Sequence, residues 1–323
     1  MRDPARVLIL LAAAACLLPG TAAAWGERTH EIINRRAALA LRGPAGEAWA
    51  PLAPALGMHA SDADHRKGAD GQEPSRHYLD ADAFDKPPFR KIPRTWDGML
   101  KKYGPVEARA FGVAPWAIDE CYRMVVASLQ RGDWSSAGAW AADLGHYVGD
   151  THQPLHCTAN FDGQRTGHDG VHLRWEVFTM DHHFREESLP AEFEVPELHG
   201  TVVDAAFAWI TDAYAGIPTV LDAETAARAA DDSFGTAYEQ TLWDRTRPLA
   251  ERQVATAVTD LAMLLRAAWQ EAGSPPGPEV APPLQALSVD ALTAPEGGSR
   301  GISARALGVA ALALTGALVA SAL

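Results

Sequence analysis

The stretch His146-Tyr147-Val148-Gly149-Asp150-Thr151-His152-Gln153-Pro154-Leu155-His156, followed by His172-Leu173-Arg174-Trp175-Glu176, decides how this chain is read. His146 with Asp150, and His172 with Glu176, stand at i, i+4, so on helices each pair projects from one face. Two such groups can close on one ion. Imidazole and carboxylate without thiolate suit zinc and leave coordination positions open for water or substrate. Pro154 ends the helix that carries the first pair and frees His156 to reach elsewhere. A single histidine in such a helix is more often an ordinary hydrogen-bonded residue; the concentration of the whole set argues for a metal site.

Working outward, the periodicity is helical. Asp133 is placed to cap a helix from Trp134 to about Asp150, and Pro115 suits the first position of a helix running to about Gln130. Ile32, Ile33, Ala37, Ala40 and Leu41 recur at helical spacing between residues 27 and 41, which puts His30 in an early turn. Two more amphipathic helices are expected at about 200–214 and 233–272, the second breaking near Arg247-Pro248. Residues 44–95, dense in Pro, Gly and Asp, read as irregular. No alternating strand pattern or solenoid repeat emerges, so the expected fold is all-α, a single mostly helical domain over residues 25–272.

Composition sets the outer bounds. The chain has 323 residues, 47% of them hydrophobic, enough for one large core, and a formal charge of −13. That acidity leaves no basic nucleic-acid footprint, although a local metal charge can outweigh the global balance. Arg2 and Arg6, an apolar run from Val7 to Leu18 and the small residues Ala22-Ala23-Ala24 read as a signal peptide over residues 1–24, hence a periplasmic or extracellular protein. Cys16 offers lipoprotein processing as a rival route. Cys121 and Cys157 remain, and pairing between them stays open. Residues 273–300 read as a Pro-rich linker, and the apolar tail 301–323 as either a C-terminal membrane anchor, a short helix docked on the domain, or a segment that is removed. No protein partner is implied.

Taken together, Trp25 behind the cleavage site, His30, Asp64, His77, H-x-x-x-D-x-x-x-x-x-H from His146 to His156, and H-x-x-x-E from His172 to Glu176 resemble the superfamily joining zinc-dependent phospholipase C with the single-strand-specific zinc nucleases of fungi and plants. The resemblance implies a trinuclear zinc cleft in a helical domain. Carried over residue by residue, Asp64, His77 and His146 would hold one zinc and Asp150 would bridge it to a second. That second ion would also take His30 and the α-amino nitrogen and carbonyl oxygen of Trp25; the third would sit on His156, His172 and Glu176. An α-amino group titrates near pH 8, so a nearby zinc displaces its proton readily.

Ala60-Ser61-Asp62-Ala63-Asp64 offers two carboxylates, and the nuclease pattern selects Asp64. Lys67 falls where the nucleases carry a phosphate-binding Arg. Arg76-His77-Tyr78-Leu79-Asp80 matches a family motif in which Tyr78 would stack on a base and Asp80 would hydrogen-bond it; a buried Tyr and a capping Asp are the ordinary alternatives. The remaining histidines take no ligand role by this mapping, with His152 and His168 the nearest supporting residues.

The activity implied is hydrolysis of a phosphodiester by metal-activated hydroxide, with Asp64 as the catalytic carboxylate. The short Trp25-to-His30 spacing favours an endonuclease acting on single-stranded DNA or RNA. Glu176 and His156-Cys157-Thr158-Ala159-Asn160-Phe161 look more like phospholipase C, which makes phospholipid the alternative substrate. A non-catalytic protein in which zinc only staples helices is the reading from a different class.

Overall fold

The computed structural model describes residues 25–288. The expected signal peptide, the later part of the Pro-rich stretch and the apolar tail lie outside the described residues. Within them the chain is helical and contains no strand.

Local chemistry delimits the helix that carries His146 and Asp150. Helices α1 (Glu27–Ala40), α2 (Gly43–Trp49), α3 (Ala53–Met58), α4 (Asp62–Arg66), α5 (Trp96–Tyr103) and α6 (Pro105–Ala110) lead to α7 (Ala114–Gln130) and α8 (Trp134–Thr151). The Asp133 side chain accepts from the Ser136 backbone N–H at 3.0 Å and caps α8. Pro115 lies in the first turn of α7.

Two glycines one turn apart on α8 let α1 approach it closely. A Cβ on Gly145 would lie 2.0 Å from Asn34 Oδ1, and one on Gly149 would lie 3.0 Å from the His30 ring. Into that space Asn34 donates to the carbonyls of Leu56 and Ala142, at 3.2 and 2.9 Å, tying α1 to α3 and α8. The stripe thus sets His30 beside the His146–Asp150 face.

Past α8, a 3-10 turn (Pro154–Cys157) carries His156. Next come α9 (Val171–Leu173), a π-helical turn (Arg174–Thr179) and α10 (Met180–His183). The sequence suggested an ordinary helix for His172 and Glu176; the π-helical register is a departure of the kind that clusters at functional positions. The domain is completed by α11 (Val202–Tyr214), α12 (Ile217–Ala230) and α13 (Thr236–Glu271). A satellite core joins Leu79, Phe89, Ile92 and Met99 to Val203, Phe207 and Ile210 of α11.

Three expectations are corrected. Helix α13 does not break at Pro248; it runs through it. Leu242, Leu249, Val254, Val258, Leu261 and Leu265 stay buried along one continuous stripe. Burial of that stripe offsets the roughly 3 kcal/mol cost of an internal proline. Residues 44–95 are not wholly irregular: α2, α3 and the 3-10 turn Glu73–His77 all place a proline in their first turn, where its missing N–H costs nothing. Helix α12 was not foreseen, because only Ile217 and Val220 of its buried face are strongly apolar, the rest being Ala223, Glu224 and Ala227, which gives little contrast.

The start of the Pro-rich stretch lies against the domain. Prolines keep their carbonyls as acceptors. The indoles of Trp269 and Trp134 donate to the carbonyls of Pro275 and Pro276 at 2.8 and 3.0 Å, and Ser135 Oγ donates to Pro283 at 2.6 Å. Cys121 and Cys157 are both buried and unpaired. Among the described residues no helix is long and apolar enough to cross a membrane.

Candidate metal centre

Three groups of side chains present ligand atoms close enough to share an ion: His30, His146 and Asp150; Asp64, His77 and His146; and His156, His172 and Glu176. In the second group His146 Nε2 lies 3.0 Å from His77 Nδ1, and Asp64 Oδ1 lies 3.5 and 3.6 Å from those two nitrogens. In the third, His172 Nε2 stands 2.7 Å from Glu176 Oε2 and 3.1 Å from His156 Nε2, which is 3.5 Å from the same Glu176 oxygen.

Asp150 joins the groups. Its Oδ2 faces His77 Nδ1 at 2.9 Å and His146 Nε2 at 3.4 Å, while Oδ1 faces His30 Nε2 at 3.4 Å. One oxygen toward each side is the arrangement a bridging carboxylate needs. Both ring nitrogens of His30, Asp150 Oδ1 and Glu176 Oε1 are buried without a hydrogen-bond partner. Buried polar atoms left unsatisfied are costly, and a cation would satisfy them.

The histidines are aimed by their outer nitrogens. His146 Nδ1 sits 2.7 Å from the Ala60 carbonyl and His156 Nδ1 2.7 Å from the His77 carbonyl, which fixes the Nε2 lone pairs inward. His30 stacks on His146 with ring centroids 4.0 Å apart. Burial, followed by the neighbouring His146, lowers the His30 pKa to about 4. Burial opposes charge on Asp150 and Asp64, yet the surrounding imidazoles hold both well below the usual carboxylate range. Glu176 is likewise held down at about 2, against its burial, by His172 and His156. Against its own burial, His146 is raised to about 9 by Asp150 and Asp64. A divalent ion bound here would replace imidazole protons as the counter-charge to these carboxylates.

The other expected residues sort as follows. Trp25 is fully buried, its indole N–H donating to the Gly149 carbonyl at 2.9 Å, and Gly26 N–H reaches the Glu176 carbonyl at 3.3 Å. Residue 25 therefore abuts the residue preceding Asp150. Asp62 turns away to His59 at 2.7 Å, leaving Asp64 at the cluster. Lys67 Nζ pairs with Asp64 Oδ1 at 2.6 Å. Tyr78 donates its hydroxyl to the Ala110 carbonyl at 3.2 Å. Asp80 begins a 3-10 turn without a side-chain cap bond; its Oδ1 is buried and unpartnered, and burial, then Asp82, raises its pKa to about 7.

His152 bonds the Val148 carbonyl and Asp260, at 2.8 and 3.0 Å, bracing the end of α8. His168 instead bonds Thr166 and Thr225, both at 2.9 Å, and makes no contact with a ligand side chain. Sequence reasoning missed Glu73 and Gln153, which do: Glu73 Oε1 lies 3.2 Å from His77 Nε2, and Gln153 donates to Glu176 Oε2. Glu73 stands four residues before His77, the same spacing as the two ligand pairs, and was legible on that ground.

Comparison with known proteins adds no relative: no family model and no curated protein matches the sequence.

Proposed function

We propose that this protein is an exported zinc-dependent phosphoesterase that cleaves phosphodiester bonds, an endonuclease of single-stranded DNA or RNA. The observation that carries the reading is Asp150 set between ligand groups whose spacings suit zinc. Zinc bonds of about 2.0–2.1 Å place tetrahedral ligand atoms roughly 3.3 Å apart. The edges of the Asp64–His77–His146 group are 3.0, 3.5 and 3.6 Å, and those of the His156–His172–Glu176 group are 2.7, 3.1 and 3.5 Å. Three zinc ions would then be held by Trp25, His30, Asp64, His77, His146, Asp150, His156, His172 and Glu176.

When bound, such ions lower the pKa of water toward neutrality and draw charge off the phosphate oxygens. The chain's own residues supply the rest. Asp64, at the edge of the first group, orients the attacking water and takes its proton. Lys67, within reach of Asp64, presents an ammonium to a phosphate oxygen. Asp80, whose carboxyl is raised by burial toward neutrality, offers a donor when protonated and an acceptor otherwise to a base edge, and Tyr78 supplies a ring for stacking. Burial of Trp25 beside Asp150 supports removal of residues 1–24, since a free α-amino group would then join the cluster.

Phospholipid is the second reading, favoured by exposed apolar side chains: Phe161 is 46% exposed with its ring 6.2 Å from His172, and Leu173 and Phe178, on the segment that carries His172 and Glu176, are 46 and 50% exposed. Incubating the zinc-loaded protein with single-stranded DNA, RNA and phosphatidylcholine separates the two. Nucleotide products are expected; diacylglycerol without nucleotides would replace the first reading with the second. Hydrolysis of none of them despite bound zinc would leave a zinc-stapled, non-catalytic protein.

A further inference from the structure

Beside the first ligand group lies a buried charge network of Glu73, Arg66 and Asp143. His77 has one nitrogen on each side of it. Nδ1 faces Asp150 Oδ2 at 2.9 Å and His146 Nε2 at 3.0 Å, while Nε2 lies 3.2 Å from Glu73 Oε1. An imidazole offers a lone pair at one nitrogen only when the other carries the proton. His146 and His156 rest their outer nitrogens on neutral backbone carbonyls. His77 alone among these rests on a carboxylate, which fixes its tautomer and also makes Nδ1 the more basic ligand.

A carboxylate with no exposed surface needs compensation. Glu73 receives it from Arg66 Nε, 3.2 Å from Oε2, and from the Tyr147 hydroxyl, which donates to Oε1. Arg66, itself 7% exposed, also donates to both carboxylate oxygens of Asp143. Arg66 belongs to α4 with Asp64, Glu73 shares its 3-10 turn with His77, and Asp143 sits on α8 three residues before His146. One guanidinium thus joins the three elements that carry the ligands of the first group.

We propose that Glu73 is a positioning residue for the first metal group, held in place by the Arg66–Asp143 pair, and that it tunes affinity at that group selectively. The inference rests on the zinc reading of the site. Its test is zinc titration of the full, folded protein against a competing chelator, with cobalt(II) as a spectroscopic probe, in wild type, Glu73→Gln and Asp143→Asn. In Glu73→Gln, zinc affinity at one class of sites falls roughly 10–100-fold, with a changed cobalt spectrum for that class, while the other class titrates as in wild type. Asp143→Asn keeps Glu73 but lets Arg66 lean more fully on it, so the same class weakens by a smaller factor.

Wild-type affinities and spectra in both variants would overturn the proposal. So would equal weakening of all sites, which marks a brace for the fold. If Glu73→Gln does not fold, Asp143→Asn decides alone. The phosphoesterase reading fails differently, through a wild-type protein that takes up no zinc or cleaves no phosphodiester.

Discussion

The two outer ligand groups are built on different principles. Asp64, His77 and His146 come from three elements locked together by the Arg66–Glu73–Asp143 network. His156, His172 and Glu176 come from a 3-10 turn, α9 and the π-helical turn that follows it, with His172 at 7% exposure and the Phe161 ring 6.2 Å from it. The first group is braced by buried charge and the second by Gln153 and a backbone carbonyl; each meets solvent at one side chain, Asp64 in the first and His172 in the second. Asp150 belongs to neither alone.

Breaking that shared residue has the largest effect. Asp150→Asn should strip the ions on both sides of it and abolish phosphodiester cleavage, read by metal analysis and turnover; full activity with undiminished zinc would refute its bridging role. Glu176→Gln should be narrower, removing the ion of the second group while the first group keeps its own, so zinc content falls only in part. If both groups empty together, they are not separable.

Proton competition sharpens the comparison further. His146 keeps its proton in the metal-free protein up to about pH 9, whereas the carboxylates around it are already ionised far below neutrality. Zinc binding at the first group would therefore expel that proton. Affinity should climb about tenfold per pH unit for each proton expelled, up to about pH 9, and level off above it. A titration series from pH 6 to 8 that gives constant affinity would contradict this.

The smallest effect concerns Asp80, outside both groups. Its folded pKa of about 7 lies above the ordinary 3.8, so the folded protein holds the extra proton between those values. Ionisation then destabilises the fold progressively through that window and fully above it. Asp80→Asn should raise Tm at pH 8 by roughly 2–4 °C, on the order of 1 kcal/mol, and leave it unchanged at pH 4. A uniform shift at both pH values would point to packing instead.

Much of this was legible before any coordinates. Helical spacing located α1 and α11, Pro115 and Asp133 at helix starts located α7 and α8, and the i, i+4 pairs located two ligand pairs. What stayed hidden depended on tertiary contact. Pro248 reads as a break unless the unbroken stripe on either side of it is weighed. Gly145 and Gly149 become informative only once Asn34 and His30 are seen to fill the space above them. Arg66 looks like a surface charge in a Pro- and Asp-rich stretch until Asp143, 77 residues beyond it, closes its network with Glu73.

The most direct measurement of the central claim is anomalous scattering at the zinc edge from crystals of the zinc-loaded protein. The account predicts three peaks, two of them on opposite oxygens of Asp150 and the third on His156, His172 and Glu176. Peaks confined to the protein surface, or zinc within the cluster that leaves Asp150 uncoordinated, would contradict it.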